Sequence, residues 1–217
     1  MGWKFVKNLT EESGLLVLSN PGSLNLSLQN NQSVKLLILM EEGSVARKTW
    51  EMTIDGFNTT LEVLVLIKGT GKKKFWIDGK INHLKANSKS NVTVMAALSD
   101  QAILDFVGNV YVNGLAQGTS TFLKNKTLLL SSEAKAKTIP ALEIIANEVK
   151  AGHAASVGKF DEEQLFYLQS RGFEQKVAEK MLIDALWTEG IEMFSDLKET
   201  ELDELRNIIN KFVGQDE

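Results

Sequence analysis

The sequence predicts a mainly β protein that ends in a small α-helical domain. Between about residues 33 and 149, short apolar runs alternate with turn signals such as Asp55-Gly56 and Asn113-Gly114, which is typical of β-strands. After Lys159 the apolar residues recur at helical spacing instead. We therefore divide the chain into a β domain, residues 1–157, and a helical domain, residues 158–217.

The β domain alternates most clearly in LEVLVLI, where Leu61, Val63, Val65 and Ile67 are predicted to share one face of a strand. Because the pattern is strong only from about Ser33, residues 1–32 are predicted to form an irregular lead. Turns recur roughly every 8 to 14 residues, which fits a sandwich, a barrel or a β-helix. No internal repeat is clear enough to choose the solenoid.

The first predicted helix follows the domain boundary. Asp161 is expected to be its N-cap, and Leu165, Phe166 and Leu168 are expected to form its apolar face. Gly172 is well placed to end it, because glycine adopts the left-handed conformation of a helix C-terminus.

Two more amphipathic helices are predicted. One runs from about Gln175 to Thr188 until Gly190 interrupts it, and one runs from about Thr200 until Gly214 stops it. Six residues of the former are expected to be buried: Val177, Ala178, Met181, Leu182, Ala185 and Leu186. Such short helices have little core of their own, so they must pack on the β domain or on another chain.

Charge and composition restrict the possible partners. Residues 158–217 contain 15 acidic and 7 basic residues, whereas nucleic acid binding requires an excess of positive charge. No apolar run approaches the roughly 20 residues that span a bilayer, and no signal peptide is recognisable. We therefore predict a cytoplasmic protein that binds neither nucleic acid nor membrane.

The motifs of common enzymes are absent. The run GTGKKK is not a P-loop, and there is no dinucleotide-binding glycine pattern, nucleophile elbow or H-E-x-x-H motif. A β-helix enzyme acting on carbohydrate would need acids, or acids with an arginine, along one sheet face, and the predicted strands supply no such ladder. The sequence therefore predicts that the protein is not an enzyme and binds no nucleotide itself.

The chain has two histidines and no cysteine, which excludes thiolate metal sites. His83 is interpreted as a hydrogen-bonded surface or rim residue. His153 lies in VKAGHAASVG at the domain boundary, where its neighbours Ala151, Gly152, Ala154 and Ala155 are all small. Its imidazole could therefore reach outward without obstruction.

The stretch from Leu128 to Phe173 resembles the C-terminal signature of the SufB/SufD family, the scaffold subunits of an iron–sulfur cluster assembly machine. The matching elements occur in order: Leu128 to Leu130, Ala-x-Ala before Pro140, Leu142-Glu143-Ile144, Val149-Lys150, a turn at His153, Val157-Gly158, Leu165 to Leu168 and Ser170-Arg171-Gly172.

This resemblance implies a right-handed parallel β-helix followed by a C-terminal helical domain. It further implies that the subunits pair through the β-helix and that the helices bind SufC, an ABC-type ATPase. Phe166, Tyr167, Arg171 and Gly172 are the residues that we expect in this hinge and docking region. His153 falls on the position where SufD-like members carry a histidine proposed as a ligand of the nascent cluster.

Some features differ from the family pattern. The absence of cysteine makes the chain SufD-like, the usual His-Gly-Ala-Thr turn has Ala154 in place of glycine, and several coils and an N-terminal helical region of typical members are not found. One histidine cannot hold a cluster, so any transient cluster would be shared with a partner, either a SufB-like protomer or a second copy. The alternative is a purely structural SufC-binding subunit without a cluster site.

Overall fold

In the computed structural model, which describes residues 4–7 and 13–214, the chain forms a β-helix followed by α-helices. The predicted fold class is thereby confirmed. The strands are β1 (Lys4–Lys7), β2 (Ser13–Ser19), β3 (Leu24–Leu28), β4 (Ser33–Met40), β5 (Lys48–Ile54), β6 (Thr60–Gly69), β7 (Lys74–His83), β8 (Lys89–Leu98), β9 (Ile103–Val112), β10 (Thr119–Leu129), β11 (Lys135–Ile144) and β12 (Val149–Gly158). The helices are α1 (Glu162–Ser170), α2 (Gln175–Ile191) and α3 (Glu199–Val213), with a 3₁₀ turn at Glu192–Phe194.

The strands form two sheets that the chain visits in turn. Sheet A has the order β1-β2-β4-β6-β8-β10-β12, and sheet B has the order β11-β9-β7-β5-β3. Every pair is parallel except β1 with β2, so each coil contributes one strand to each sheet. This pattern selects the β-helix among the three architectures that the spacing allowed.

The expectation of an irregular lead over residues 1–32 is wrong for the described part of that segment, while residues 1–3 and 8–12 lie outside the described residues. β2 pairs with β4 in sheet A and β3 pairs with β5 in sheet B, so the first coil begins before Ser33. In β3, Leu24, Leu26 and Leu28 point towards the core while Asn25 and Ser27 alternate with them. The strand is only five residues long and rich in polar residues, which is why the pattern did not reveal it.

The turns that follow β3, β5, β7 and β9 of sheet B repeat from coil to coil. Asn31, Asn58 and Asn87 have positive φ angles of 62°, 53° and 59°, and Gly118 follows in the same role with φ 72°. Each donates its main-chain N–H to a carbonyl of the next coil's turn. Asparagine and glycine tolerate this left-handed conformation better than other residues, so this turn is the sequence repeat of the solenoid.

The strands β4, β6 and β8 of sheet A are buried on both faces over most of their length. Leu61, Val63, Val65 and Ile67 face the interior of the solenoid, as predicted, together with the matching residues of neighbouring strands. On the other face, Leu64 and Leu66 pack under the helices in a second apolar cluster. Burial on both faces explains the near-continuous apolar runs of β4, β6 and β8.

The helices α2 and α3 lie on this outer face of sheet A. Leu186, Leu205, Ile209 and Phe212 are buried there. Gly190 does not interrupt α2, which continues to Ile191. A Cβ at Gly190 would lie 3.1 Å from both Leu64 Cδ1 and Met95 Sδ, so the glycine instead allows the helix to approach the sheet closely.

Lysines of sheet A attach the helices at three places. Lys35 pairs with Glu62 and, at 2.9 Å, with Asp196 beyond the 3₁₀ turn. Burial disfavours the charged form of Lys35, but hydrogen bonds to these two carboxylates outweigh it and raise its pKa.

At the other two places the lysines bind a helix end and a helix face. Lys68 Nζ donates to the carbonyls of Phe212 and Val213 at the C-terminus of α3. Lys124 and Lys126 each lie 2.6 Å from Glu189 of α2, and their hydrogen bonds lower the pKa of that carboxyl.

A hydrogen-bonded polar chain lies inside the solenoid where β7 ends. His83 Nδ1 lies 2.7 Å from Ser88 Oγ, and its Nε2 lies 2.8 Å from Ser90 Oγ. These serines contact Thr119 and Thr121 of β10. His83 is hydrogen-bonded as predicted, but it is fully buried and not a rim residue. Burial lowers its pKa to about 4.

The buried His83 predicts a loss of stability in mild acid. Because its pKa is about 4 in the fold and near 6.5 in the unfolded chain, the unfolded state binds the proton more readily between these values. The contribution is therefore present above pH 6.5 and is lost as the pH falls towards 4. We expect the free energy of unfolding in urea to drop by about 2 kcal/mol from pH 7 to pH 5 on account of this group.

The matched control uses the other histidine. His83→Gln should remove this part of the pH dependence, whereas His153→Gln, at an exposed position, should retain it. An unchanged pH profile in His83→Gln would contradict the assignment.

Candidate functional site

His153 lies on β12, the last strand of sheet A. In the parallel register it continues an inward-facing row formed by Leu36, Val63, Val92 and Leu123. These four residues are buried in the core, but His153 is exposed because no further coil covers β12. The imidazole is therefore accessible, as the small neighbouring residues indicated.

The predicted turn at His153 is wrong, because the register between β10 and β12 is unbroken from Thr119–Val149 to Leu128–Gly158. Ala154 fits this extended backbone, so glycine is not required there. In the part of the chain that the structure describes, no group of three or more His, Asp or Glu side chains could hold a metal ion. His153 could supply one ligand, and the others would have to come from outside the chain.

The helix α1 begins and ends as the sequence predicts. The Asp161 side chain accepts hydrogen bonds from the main-chain N–H groups of Glu163, at 2.9 Å, and Gln164, at 3.4 Å. Gly172 has a φ of +92° after the C-cap Arg171, so it ends the helix in the left-handed region. The guanidinium of Arg171 lies over the Tyr167 ring at 5.2 Å, a cation–π contact.

The burial expected for several helical residues is wrong. Helix α1 buries no residue, and the side chain of Phe166, expected on its apolar face, is 73% exposed. In α2, Ala178 and Leu186 are buried as expected, and Leu182 is half-buried. The other three, Val177, Met181 and Ala185, are exposed. The α2 residues that join the apolar cluster on sheet A all lie from Ile183 onwards, so the first half of the helix is left uncovered by the sheet.

Five large apolar side chains of α1, α2 and the connection between them are exposed, and we call this set the apolar patch. It consists of Phe166, Tyr167, Phe173, Val177 and Met181. Periodicity did not identify the last three as surface residues, because an apolar stripe looks the same whether its own chain or a partner covers it. Exposed apolar patches of this kind mark binding surfaces in soluble proteins.

A groove of about 460 Å³ separates α1 from sheet A. Val157 and Phe160 line it on one side, Leu182 and Leu186 line it on another, and Gln164 borders it from α1. The groove explains why the inner side of α1 is not buried against the solenoid.

An acid–arginine set does occur on the outer face of sheet B, although the strand pattern indicated none. Arg47 Nη1 lies 2.8 Å from Asp78 and its Nη2 lies 3.2 Å from Asp105 on the next strand. Both carboxylates are thus paired with one guanidinium that bridges neighbouring coils. This pairing accounts for the set as a structural contact.

Comparison with known proteins agrees with the fold and with the resemblance. Residues 19–186 match the family model for the SUF system FeS cluster assembly SufBD core domain. An iron–sulfur cluster assembly SufBD family protein of Mycobacterium leprae (strain TN) is 38% identical over 117 residues, 50% of this chain and 30% of that protein. The iron–sulfur cluster assembly protein SufD of Escherichia coli (strain K12) is 33% identical over 154 residues, 71% of this chain and 36% of SufD. Protein ABCI7, chloroplastic, of Arabidopsis thaliana is 38% identical over 109 residues.

These matches place the chain in a class of proteins whose named members are iron–sulfur cluster assembly proteins. The chain belongs to the SufB/SufD family, as its C-terminal signature indicated. Its matched segment spans about a third of the length of the bacterial relatives. No helix among the described residues is long and apolar enough to cross a membrane.

The exposure of the patch predicts how substitutions affect stability. Phe166→Ala should leave the free energy of unfolding within about 0.5 kcal/mol of the original, because the ring is mostly in water. Leu186→Ala, in the cluster beneath α2, should cost about 2–5 kcal/mol. Urea unfolding of both variants tests this contrast, and similar losses in both would show that Phe166 is buried.

Proposed function

We propose that this chain is a non-catalytic scaffold subunit of a SUF-type cluster assembly complex. It binds a SufC-type ATPase through its C-terminal helices and pairs through its β-helix with a SufB-like protomer or a second copy. The iron–sulfur cluster is the cargo of this complex, and His153 supplies one of its transient ligands. The single observation that carries the proposal is the accessible His153 on the uncovered last strand of a SufB/SufD-family solenoid.

Two features of the last two strands, β11 and β12, support pairing through the β-helix. β12 in sheet A and β11 in sheet B each have a strand neighbour on one side only, so their free main-chain groups can accept another strand. Apolar side chains are exposed on the same two strands, including Ile139, Ile144 and Val157. A partner strand at this edge would cover them and would bring a second chain next to His153.

The apolar patch supports binding of the ATPase to α1 and α2. Phe166 and Tyr167 are exposed aromatic residues of the kind that dominate binding energy at interfaces. The Arg171 guanidinium lies over the Tyr167 ring. Gly172 fixes the turn that joins the two helices. Exposed Glu162, Glu163 and Glu174 on these elements favour a partner with basic groups around its apolar contact.

The second candidate function is a purely structural SufC-binding partner without a cluster site. It is favoured by the lack of any group of three metal-ligating side chains in the described part of the chain. In both candidates the nucleotide binds to the partner ATPase. The cytoplasmic location stays a prediction of the sequence.

Substitution in the apolar patch should weaken binding of the ATPase. Phe166→Ser with Tyr167→Ser removes two exposed anchors, and we expect the dissociation constant for the cognate SufC-type ATPase to rise at least about thirtyfold. Titration calorimetry measures the effect. Val45→Ser, at a 97% exposed apolar residue outside the helices, is the control and should bind as the unaltered chain does. Unchanged affinity in the double variant would place the ATPase elsewhere.

Substitution of His153 separates the two candidate functions. His153→Ala should abolish or strongly reduce cluster formation in the anaerobically reconstituted complex, because one ligand is removed, while ATPase binding stays intact. The visible absorption of the cluster is the readout. Lys150→Ala, an exposed position of the same strand on the opposite face, serves as the control. Normal cluster assembly in His153→Ala would support the purely structural function.

A further inference from the structure

Two buried polar atoms in the solenoid lack a hydrogen-bond partner. Among the described residues, Asn125 Nδ2 and Thr138 Oγ1 are the only buried side-chain nitrogen or oxygen atoms without one. Asn125 lies on β10 and Thr138 on β11, the two strands of one coil, which we call the terminal coil. Burying such groups without a partner is costly, so their occurrence in the same coil needs a physical cause.

The strand register places the two side chains in the same layer of the interior. A Cβ at Gly108 would lie 2.6 Å from Leu123 Cδ2, so Leu123 of sheet A faces Gly108 of sheet B. A step of two residues leads from Leu123 to Asn125 on β10 and, in the same direction, from Gly108 to Phe106 on β9. Asn125 therefore faces the row that contains Phe106. Phe106 is paired in register with Thr138 of the terminal coil.

The same layer is apolar in the preceding coils. In sheet A the row reads Val65, Val94 and then Asn125, and in sheet B it reads Ile77, Phe106 and then Thr138. The first two members of each row are buried in the core. Polar residues thus replace apolar ones in both sheets at the same coil, although nothing in the fold requires it.

Rotation of the Asn125 amide does not remove the problem. Its Oδ1 accepts a hydrogen bond from Thr127 Oγ1 at 3.0 Å. If the amide nitrogen and oxygen were exchanged, Thr127 Oγ1 would accept a hydrogen bond from the amide nitrogen. The amide oxygen would then lack a partner. Something other than these protein groups must satisfy the amide.

We propose that one internal water molecule binds between Asn125 and Thr138. The amide Nδ2 donates a hydrogen bond to the water, and the water bonds with the Thr138 hydroxyl. Two polar groups from opposite walls of one layer are the arrangement that holds a buried water in proteins. The site lies beside β12, because Asn125 is paired in register with Ala155, two residues from His153. The water therefore supports the inner side of the strand that carries the exposed histidine.

The sign of the change in stability of one variant distinguishes a hydrated site from two unpartnered groups. Thr138→Val replaces the hydroxyl by a methyl group of similar size. If the water is bound, the variant loses one of its hydrogen bonds, and the urea midpoint should fall by roughly 0.5 M. If the hydroxyl has no partner, the same substitution should raise the midpoint.

The control places a hydroxyl in the same layer without a polar group opposite. Val65→Thr, two coils earlier, should lower the midpoint, which shows that this layer does not tolerate an unpartnered hydroxyl. A high-resolution crystal structure of the unaltered chain should show an ordered water within hydrogen-bonding distance of both atoms. A dry gap there, or a midpoint in Thr138→Val equal to or above that of the unaltered chain, would overturn the proposal.

Discussion

The structure depends on parallel, in-register hydrogen bonding between successive coils. Each strand of the solenoid receives its main-chain partners from the coil before it and supplies them to the coil after it. Identical registers stack side chains in rows, so a residue's environment is set by its row and by its position along the stack. The last strand differs from the others because its row ends there. This is why His153, in a row of buried aliphatic residues, is exposed.

The same stacking explains how much of the fold could be predicted from the sequence. The alternation in β6, the N-cap Asp161 and the terminating glycines Gly172 and Gly214 follow from local chemistry, and they are found as predicted. The choice of β-helix over sandwich required the pairing order, which alternation does not contain. The sequence repeat that accompanies it is the left-handed residue after β3, β5, β7 and β9, at Asn31, Asn58, Asn87 and Gly118, and irregular spacing of 27 to 31 residues concealed it.

The candidate site was predictable in part. Small neighbours indicated that the His153 imidazole is accessible, helix punctuation located α1 and Gly172, and the family resemblance pointed to Arg171. The sequence could not show that β12 is extended at His153, because small residues suit turns and edge strands alike. Nor could it show which apolar helix residues are covered. Val177 and Met181 have the spacing of core residues, but the α2 residues that pack on sheet A begin only at Ile183, which leaves these two side chains in water.

The short connection between β12 and α1 has a mechanical consequence. Only residues 159–161 join the strand that carries His153 to a helix that buries none of its own side chains. Lysines and an apolar layer hold α2 and α3 to the solenoid, so these helices are fixed to the outer face of sheet A. A load applied to α1 would therefore pass along the connection into β12, which a single ladder of hydrogen bonds attaches to β10. The terminal strand is attached on one side only, unlike the interior strands of sheet A, so it has fewer main-chain bonds than they have with which to resist such a pull.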